Sequence, residues 1–190
     1  METQKDLILK AFIGVEVKDI QRRVILSPIL YPNQLQTKEK PIRSSLGFLV
    51  VNSDNFTFIK TPMLQSAIKD LVLMLKQTKC REILFIGAAG GLADHLAIGD
   101  IIEIKDQRKL YSFGSVLDEK TAKLNALKKK GIVAIDLEAK AFFLTAKNAG
   151  IKASARLIIT DLPLTKPYYL EKTQEEQEAI KRNLSELFAK

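Results

Sequence analysis

EILFIGAAGGL, residues Glu82–Leu92, is the stretch that decides the fold of this chain. Four apolar residues, Ile83 to Ile86, run into small ones, which reads as a buried strand whose carboxyl end opens into a backbone-lined cradle. α/β proteins place ligands at such strand ends. Gly99-Asp100 and a second β-rich run, Ile101–Ile104, follow closely. Glycines after a strand also serve as tight turns or close packing points. Gly87, Gly90 and Gly91 do not fit the G-x-G-x-x-G dinucleotide fingerprint, and no Lys-Ser/Thr pair completes a P-loop.

Working outward, strands and helices alternate without repeats or low-complexity linkers. Residues 7–17 (LILKAFIGVEV) read as a first strand, and Ser27–Pro41, with Pro28, Pro32 and Pro41, as irregular. Leu46–Val51 and Phe56–Lys60 form a hairpin around Asp54-Asn55. Thr61 caps and Pro62 starts a helix whose apolar face is Ala67, Ile68, Leu71, Val72 and Leu75. Strands at 82–87 and 98–104 follow, then a helix from Leu117 to Lys130 that Gly131 stops. Ile132–Ile135 is a short buried strand that delivers Asp136 and Glu138 to the head of a helix ending near Gly150. Ala153–Thr160 alternates as a strand with Asp161 at its end. The last helix opens on a T-x-x-E capping box, Thr173 to Glu176, and carries an Ile180, Leu184, Leu187, Phe188 stripe. This order predicts an α/β three-layer sandwich, a central mixed β-sheet flanked by helices, over one domain spanning 1–190.

Composition narrows the function. The 190 residues are 46% hydrophobic and 27% charged, the signature of a soluble globular domain. No apolar run approaches the roughly 20 residues of a membrane span. METQKDLILK lacks the pattern of a signal peptide, and Cys80 is the only cysteine, which points to a reducing cytoplasm and leaves no thiolate cluster. The formal charge of +8 is scattered, with its densest run, Lys128-Lys129-Lys130, ending a helix where cations complement the dipole. Without interleaved aromatics, nucleic-acid binding is not expected. One histidine, His95, and one cysteine offer no metal cluster, and no flavin or nicotinamide motif appears, so neither metal nor cofactor is expected. Ser115 has no neighbouring base to make it a nucleophile.

Three segments in order carry a resemblance: Phe85–Asp100, Ile135-Asp136-Leu137-Glu138, and Ile158-Ile159-Thr160-Asp161. They resemble the G-[ST]-[AC]-G-G-L…G-D strand, the V-[DE]-M-E helix start and the strand-closing S-D of the nucleoside phosphorylase and nucleosidase family, whose members cleave the N-glycosidic bond of nucleosides. The resemblance implies that Glu138 accepts hydrogen bonds from the ribose hydroxyls and that Asp161 holds or donates the proton that lets the base depart. That second role needs a raised pKa, which burial at a strand end supplies. It further implies that Ala88, Ala89 and Gly90 approach sugar or base through their backbone and that Leu137, where the family has methionine, packs against the sugar. Asp136 is equally a plain helix cap. Glu16, in a loose echo of the amino-terminal signature, is a candidate for water activation. A homo-oligomer, at least a dimer, is implied as well.

Departures from the family sharpen the reading. Its phosphorylases carry an arginine two residues before the first glycine and a Ser or Thr just after it; here these positions hold Phe85 and Ala88. Losing a cation and a hydroxyl weakens any phosphate site, so hydrolysis is preferred over phosphorolysis. Arg156 lies five residues before Asp161, where alternation turns it to the other face. The family builds part of its base pocket where this chain is short, between Lys105 and Gly131, and Phe113 or a residue from a neighbouring subunit is a candidate to stack on the base. The expected activity is cleavage of a purine nucleoside or nucleoside-containing metabolite. A catalytically inactive relative that binds a nucleoside or serves assembly is the alternative, and a phosphorylase comes third.

Overall fold

A computed structural model describes residues 3–35, 37–105 and 107–189, with the side chains of Lys5, Phe188 and Ala189 outside the described set. Phe188, the last member of the predicted helix stripe, therefore lies outside it. Nine strands form one mixed sheet flanked by helices, with strand order β2-β3-β4-β1-β5-β8-β7 and with β9 pairing both β5 and β6. By contacts the chain divides into two compact units, Met1–Ile86 with Ala141–Ser154, and Gly87–Lys140 with Ala155–Lys190.

The first unit opens with a helix where a strand was expected. Helix α1 spans Gln4–Ile13 because Thr3 and Asp6 form a reciprocal capping box and Gly14, at φ +84°, ends it in the left-handed region. The first strand is β1, Arg23–Ser27, which lies parallel to β4 (Thr57–Lys60) and to the start of β5 (Glu82–Gly91). The predicted hairpin is present as β3 (Leu49–Asn52) against β4, and β2 (Ile42–Arg43) extends it. Helix α2, Gln65–Leu75, buries the Ile68, Leu71, Val72 and Leu75 face. Its N-cap is Leu64 rather than Thr61, whose hydroxyl is buried without a hydrogen-bond partner. Pro62 and the turn to Leu64 carry the chain three residues further before the helix begins. Phe85 is fully buried and stacks on Phe142 at 5.2 Å between ring centroids. Cys80 is buried too, and burial pushes its thiol up to about 12, which leaves it unreactive.

The second unit contains the family-like segments from Gly87 onward. Strand β5 continues through the small residues to Gly91, and Gly90-Gly91 pair antiparallel with Ile135-Ala134 of β8 (Ala134–Asp136). β6 (Ile101–Ile104) runs antiparallel to β9 (Lys152–Asp161), and β7 (Leu110–Ser112) runs parallel to β8. Helix α3 is Thr121–Lys129, shorter than predicted because a 3-10 turn, Val116–Asp118, precedes it; Gly131 at φ +79° ends it as expected. Helix α4, Ala139–Ala149, ends at Gly150, and α5, Gln174–Ala189, starts on the predicted capping box, with Thr173 and Glu176 bonding each other's amides. Arg156 binds Glu103 and the carbonyl of Leu187, fastening α5.

Gly99 joins these elements. It has φ +97°, its carbonyl accepts from Asn183 of α5, and a Cβ there would stand 2.7 Å from the Ala179 Cβ. Gly99→Ala is expected to destabilise the chain by about 2–4 kcal/mol, combining left-handed strain with overpacking. Gly131→Ala, at similar φ but facing open space, should cost only about 1 kcal/mol. Urea unfolding of the two variants checks the ranking; equal midpoints would contradict the Gly99–α5 contact.

Candidate active site

Among the described residues, three charged side chains are buried, and all three are acids: Asp136, Glu138 and Asp161, at 6%, 8% and 7% exposure. They are the carboxylates the sequence motifs select, and all lie in the second unit.

Asp136 closes β8 and caps α4. Its Oδ2 accepts from the amides of Glu138 at 3.1 Å and Ala139 at 2.5 Å, while Ser112 Oγ donates to its Oδ1. Ser112 in turn accepts from the Lys140 amide at 2.8 Å. Burial raises the Asp136 pKa, and these donors oppose the rise. This is the geometry of a helix cap, with every contact directed at holding the α4 start.

Glu138 is oriented by that cap but is otherwise different. No donor among the described residues reaches its carboxyl oxygens, and burial, followed by the charge of Asp136, pushes it up to about 7. A buried acid with unused acceptor oxygens is suited to receive hydroxyl donors from a ligand. Leu137, between the two acids, is half-buried and packs against the cluster of Leu92, Phe113, Leu124, Leu127 and Ile135.

Asp161 ends β9. Burial raises its pKa against the opposing effects of the Thr160 hydroxyl, the Lys172 charge and the Tyr168 amide. Its charge, after burial, helps push Glu119 up to about 7. Glu119 is half-buried just past the Val116–Asp118 turn, and the sequence reading passed over it. Its signal was weak: a lone glutamate in a polar stretch, DEK, of the region where the family differs in length.

Gly90 connects the two acidic centres. Ile135, next to Asp136, is its strand partner, and Pro163, two residues past Asp161, packs on it so closely that a Cβ would stand 2.6 Å from Pro163 Cγ. At Gly91 a Cβ would meet Leu162 at 3.0 Å and Ile159 at 3.2 Å. These glycines lie inside β5, and side chains of the chain itself pack beside them. Ala88 is half-buried and Ala89 buried in the same strand.

The other expected residues fall elsewhere. Glu16 belongs to the first unit and is exposed, paired with Lys18 at 2.7 Å and Lys10 at 3.2 Å. These lysines hold its carboxyl below the ordinary value, which makes it a weak base. Phe113, 1% exposed, sits inside the apolar cluster with Tyr111 against it, so it offers no face to a base. His95 is exposed. Among the described residues no three His, Cys, Asp or Glu side chains group to hold a metal ion, and no helix is long and apolar enough to cross a membrane.

Neither a protein-family model nor a curated protein sequence matches the chain. Solved structures do. An AMP nucleosidase from Bacteroides thetaiotaomicron superposes with a TM-score of 0.71 at 13% identity, covering 96% of each chain. A uridine phosphorylase from Vibrio fischeri gives 0.73 at 16% identity over 92% of each chain. A methylthioadenosine phosphorylase from an Antarctic soil metagenomic library gives 0.65 at 13% identity, over 90% of this chain and 84% of that one. The chain has the fold shared by these nucleosidase and nucleoside phosphorylase structures.

Proposed function

We propose that this chain cleaves the N-glycosidic bond of a purine nucleoside or a nucleoside-containing metabolite, with water rather than phosphate as the acceptor. The observation that carries the reading is the burial of Glu138 and Asp161 as acids with raised pKa values, on the fold of glycosidic-bond-cleaving enzymes. Cleavage leaves an electron-poor sugar and an electron-rich base. Asp161, in which burial favours the protonated form, donates toward the departing base. Glu138 accepts from the ribose hydroxyls with oxygens that no protein donor occupies. Asp136 positions Glu138 through its cap on α4 and is a positioning residue.

Water is favoured because the phosphorylase positions for cation and hydroxyl hold Phe85, stacked in the core, and Ala88. Glu16 has no part in the proposal, since its paired lysines suppress its basicity. The packing of Pro163 on Gly90 favours a second reading, a non-catalytic relative whose ligand site is filled by its own chain. That reading predicts no turnover of any nucleoside, with at most thermal stabilisation by a base.

Asp161→Asn is expected to lower base release from the best substrate of a nucleoside panel by about 10²–10⁴-fold, the range for a lost general acid. Chromatographic detection of free base in phosphate-free buffer checks it. No release by the wild-type chain on any nucleoside would overturn the proposal, and dependence on added phosphate would replace hydrolysis with phosphorolysis.

The acid limb should be visible in pH profiles. Activity is expected to fall as pH rises through the ionisation of Asp161 and Glu119, both of which burial raises. Glu119→Gln leaves one carboxyl of the pair to titrate and should move that limb to lower pH. A limb that stays in place would remove Glu119 from the site.

Stability supplies a test independent of turnover. A carboxyl whose folded pKa exceeds its unfolded value has no effect below the unfolded value and destabilises increasingly as pH rises toward the folded one. For Glu138 that window runs from 4.5 to about 7. The wild-type Tm should therefore fall between pH 5 and about 7.5, and Glu138→Gln should flatten that fall. Parallel melting curves would contradict the burial of an unpaired Glu138.

A further inference from the structure

We propose that the cavity between β6 and the residues leading into β7 and β8 binds a small organic anion with an apolar body, of which an arylalkyl carboxylate is the simplest kind. The cavity holds about 460 Å³ and lies wholly in the second unit. That size falls inside the roughly 300–1,000 Å³ range of small-molecule sites. Asp136, Glu138, Asp161 and the β5 glycines do not line it, so its occupation is independent of the cleavage proposed above.

The sheet leaves this space open. Among the described residues β6 pairs with β9 alone and β7 with β8 alone, so each presents an edge without a neighbouring strand. Lys109 and Val133, joined by the Val133 amide donating to the Lys109 carbonyl at 2.9 Å, bound the cavity on the β7–β8 side. Ile102 and Ile104, two apart on β6 and therefore on one face of it, bound the other side with Leu96. Ile104 is buried, but Ile102, Leu96 and Val133 are only half-buried, and an apolar ligand would cover what they leave open.

The rim is positive. His95, Lys105 and Lys109 stand there exposed. Glu103 is the one carboxylate of the lining, and its oxygens are already engaged by Arg156 at 3.1 Å and Lys105 at 3.6 Å. Asp94, beside His95, pairs with Lys128 instead. Among the described residues no carboxylate pairs with Lys109, which leaves its ammonium group for a ligand.

The backbone adds a second donor. The Asp100 carbonyl accepts from the Ile159 amide at 2.8 Å and the register continues through Ile102↔Leu157, so alternate residues of β6 bond to β9 and the Glu103 amide faces the outer edge. An ammonium group and an N–H above an apolar floor suit a carboxylate carried on a hydrophobic body. An inorganic anion would leave the floor uncovered, and a neutral apolar molecule would leave the cation unpaired.

NMR titration of the isotope-labelled chain with phenylbutyrate tests the assignment. Amide shifts are expected to centre on Leu96, Ile102, Glu103 and Val133. Phenylbutyrate should bind about ten-fold more tightly than phenylbutanol, which lacks the charge, and acetate, which lacks the ring, should not saturate. Lys109→Met, which keeps the stem and removes the charge, is expected to weaken phenylbutyrate binding about ten-fold, and Lys109→Arg to restore it. The absence of saturable shifts at millimolar phenylbutyrate, equal binding by Lys109→Met, or shifts centred on Gly90, Glu138 and Asp161 would each overturn the proposal. None of these readouts uses a nucleoside, so their failure leaves the cleavage reading standing.

Discussion

The close approach of Pro163 to Gly90 is the constraint on which the second unit depends. A strand can run past the exit of β9 at this separation only where it carries no side chain, and Gly90 with Gly91 supplies two such positions, one for each face. The contact fixes where β9 ends relative to β5, and with it the place of Asp161. Through the Gly90–Ile135 pairing the same residue fixes β8, whose last member, Asp136, orients Glu138. One small residue thereby sets the positions of both acidic centres, which explains how three short segments separated in sequence come to bear on one part of the sheet.

The placement of charge is unusual in a basic chain. Lysine and arginine outnumber aspartate and glutamate by 30 to 22, yet among the described residues the buried charged side chains are all acids. Lysine could have neutralised them; instead it is spent on exposed pairs such as Lys18–Glu16 and Lys105–Glu103. Among the described residues Lys172 alone contributes positive charge toward Asp161, and none offsets the burial of Glu138. Burying acids this way works against stability, because each must either keep its proton or carry a poorly solvated charge. Such an arrangement is typical of groups tuned to exchange protons near neutrality rather than to hold a fold together.

Much of this was legible in the sequence wherever local signals agreed with the tertiary outcome. The hairpin around Asp54-Asn55, the stops at Gly131 and Gly150 and the Thr173–Glu176 capping box were all read correctly because each rests on chemistry confined to a few residues. The amino-terminal helix was misread because its apolar residues, Leu7, Ile8, Leu9, Phe12 and Ile13, are dense enough to pass for a strand; the decisive signal was the Thr3–Asp6 box three residues upstream. At Thr61 the local pattern of cap and proline pointed to a helix start that the chain does not use. The acids at 136, 138 and 161 stood out because their segments resemble the family's helix-start and strand-end motifs. Glu119 was not, because its proximity to Asp161 is a long-range consequence of how the 116–119 turn folds back, and nothing in its immediate sequence records that. The glycines were seen, but whether they face ligand or protein depends on Pro163, seventy residues away.

At position 85 the chain has core packing where the phosphorylases it resembles carry an arginine. A guanidinium at position 85 would have to point an ionised group from a strand interior, whereas the phenyl ring there stacks on Phe142, which itself contacts Phe143 at 5.1 Å. Returning an arginine to that position would exchange an apolar stack for a buried charge, a change that costs several kcal/mol unless an anion is already present to pair with it. The substitution is therefore hard to reverse by single steps, since the cation destabilises the fold before a phosphate site exists to compensate. With Phe85 stacked in the core, position 85 offers no cation to an anion, which is why the proposed reading assigns water as the acceptor.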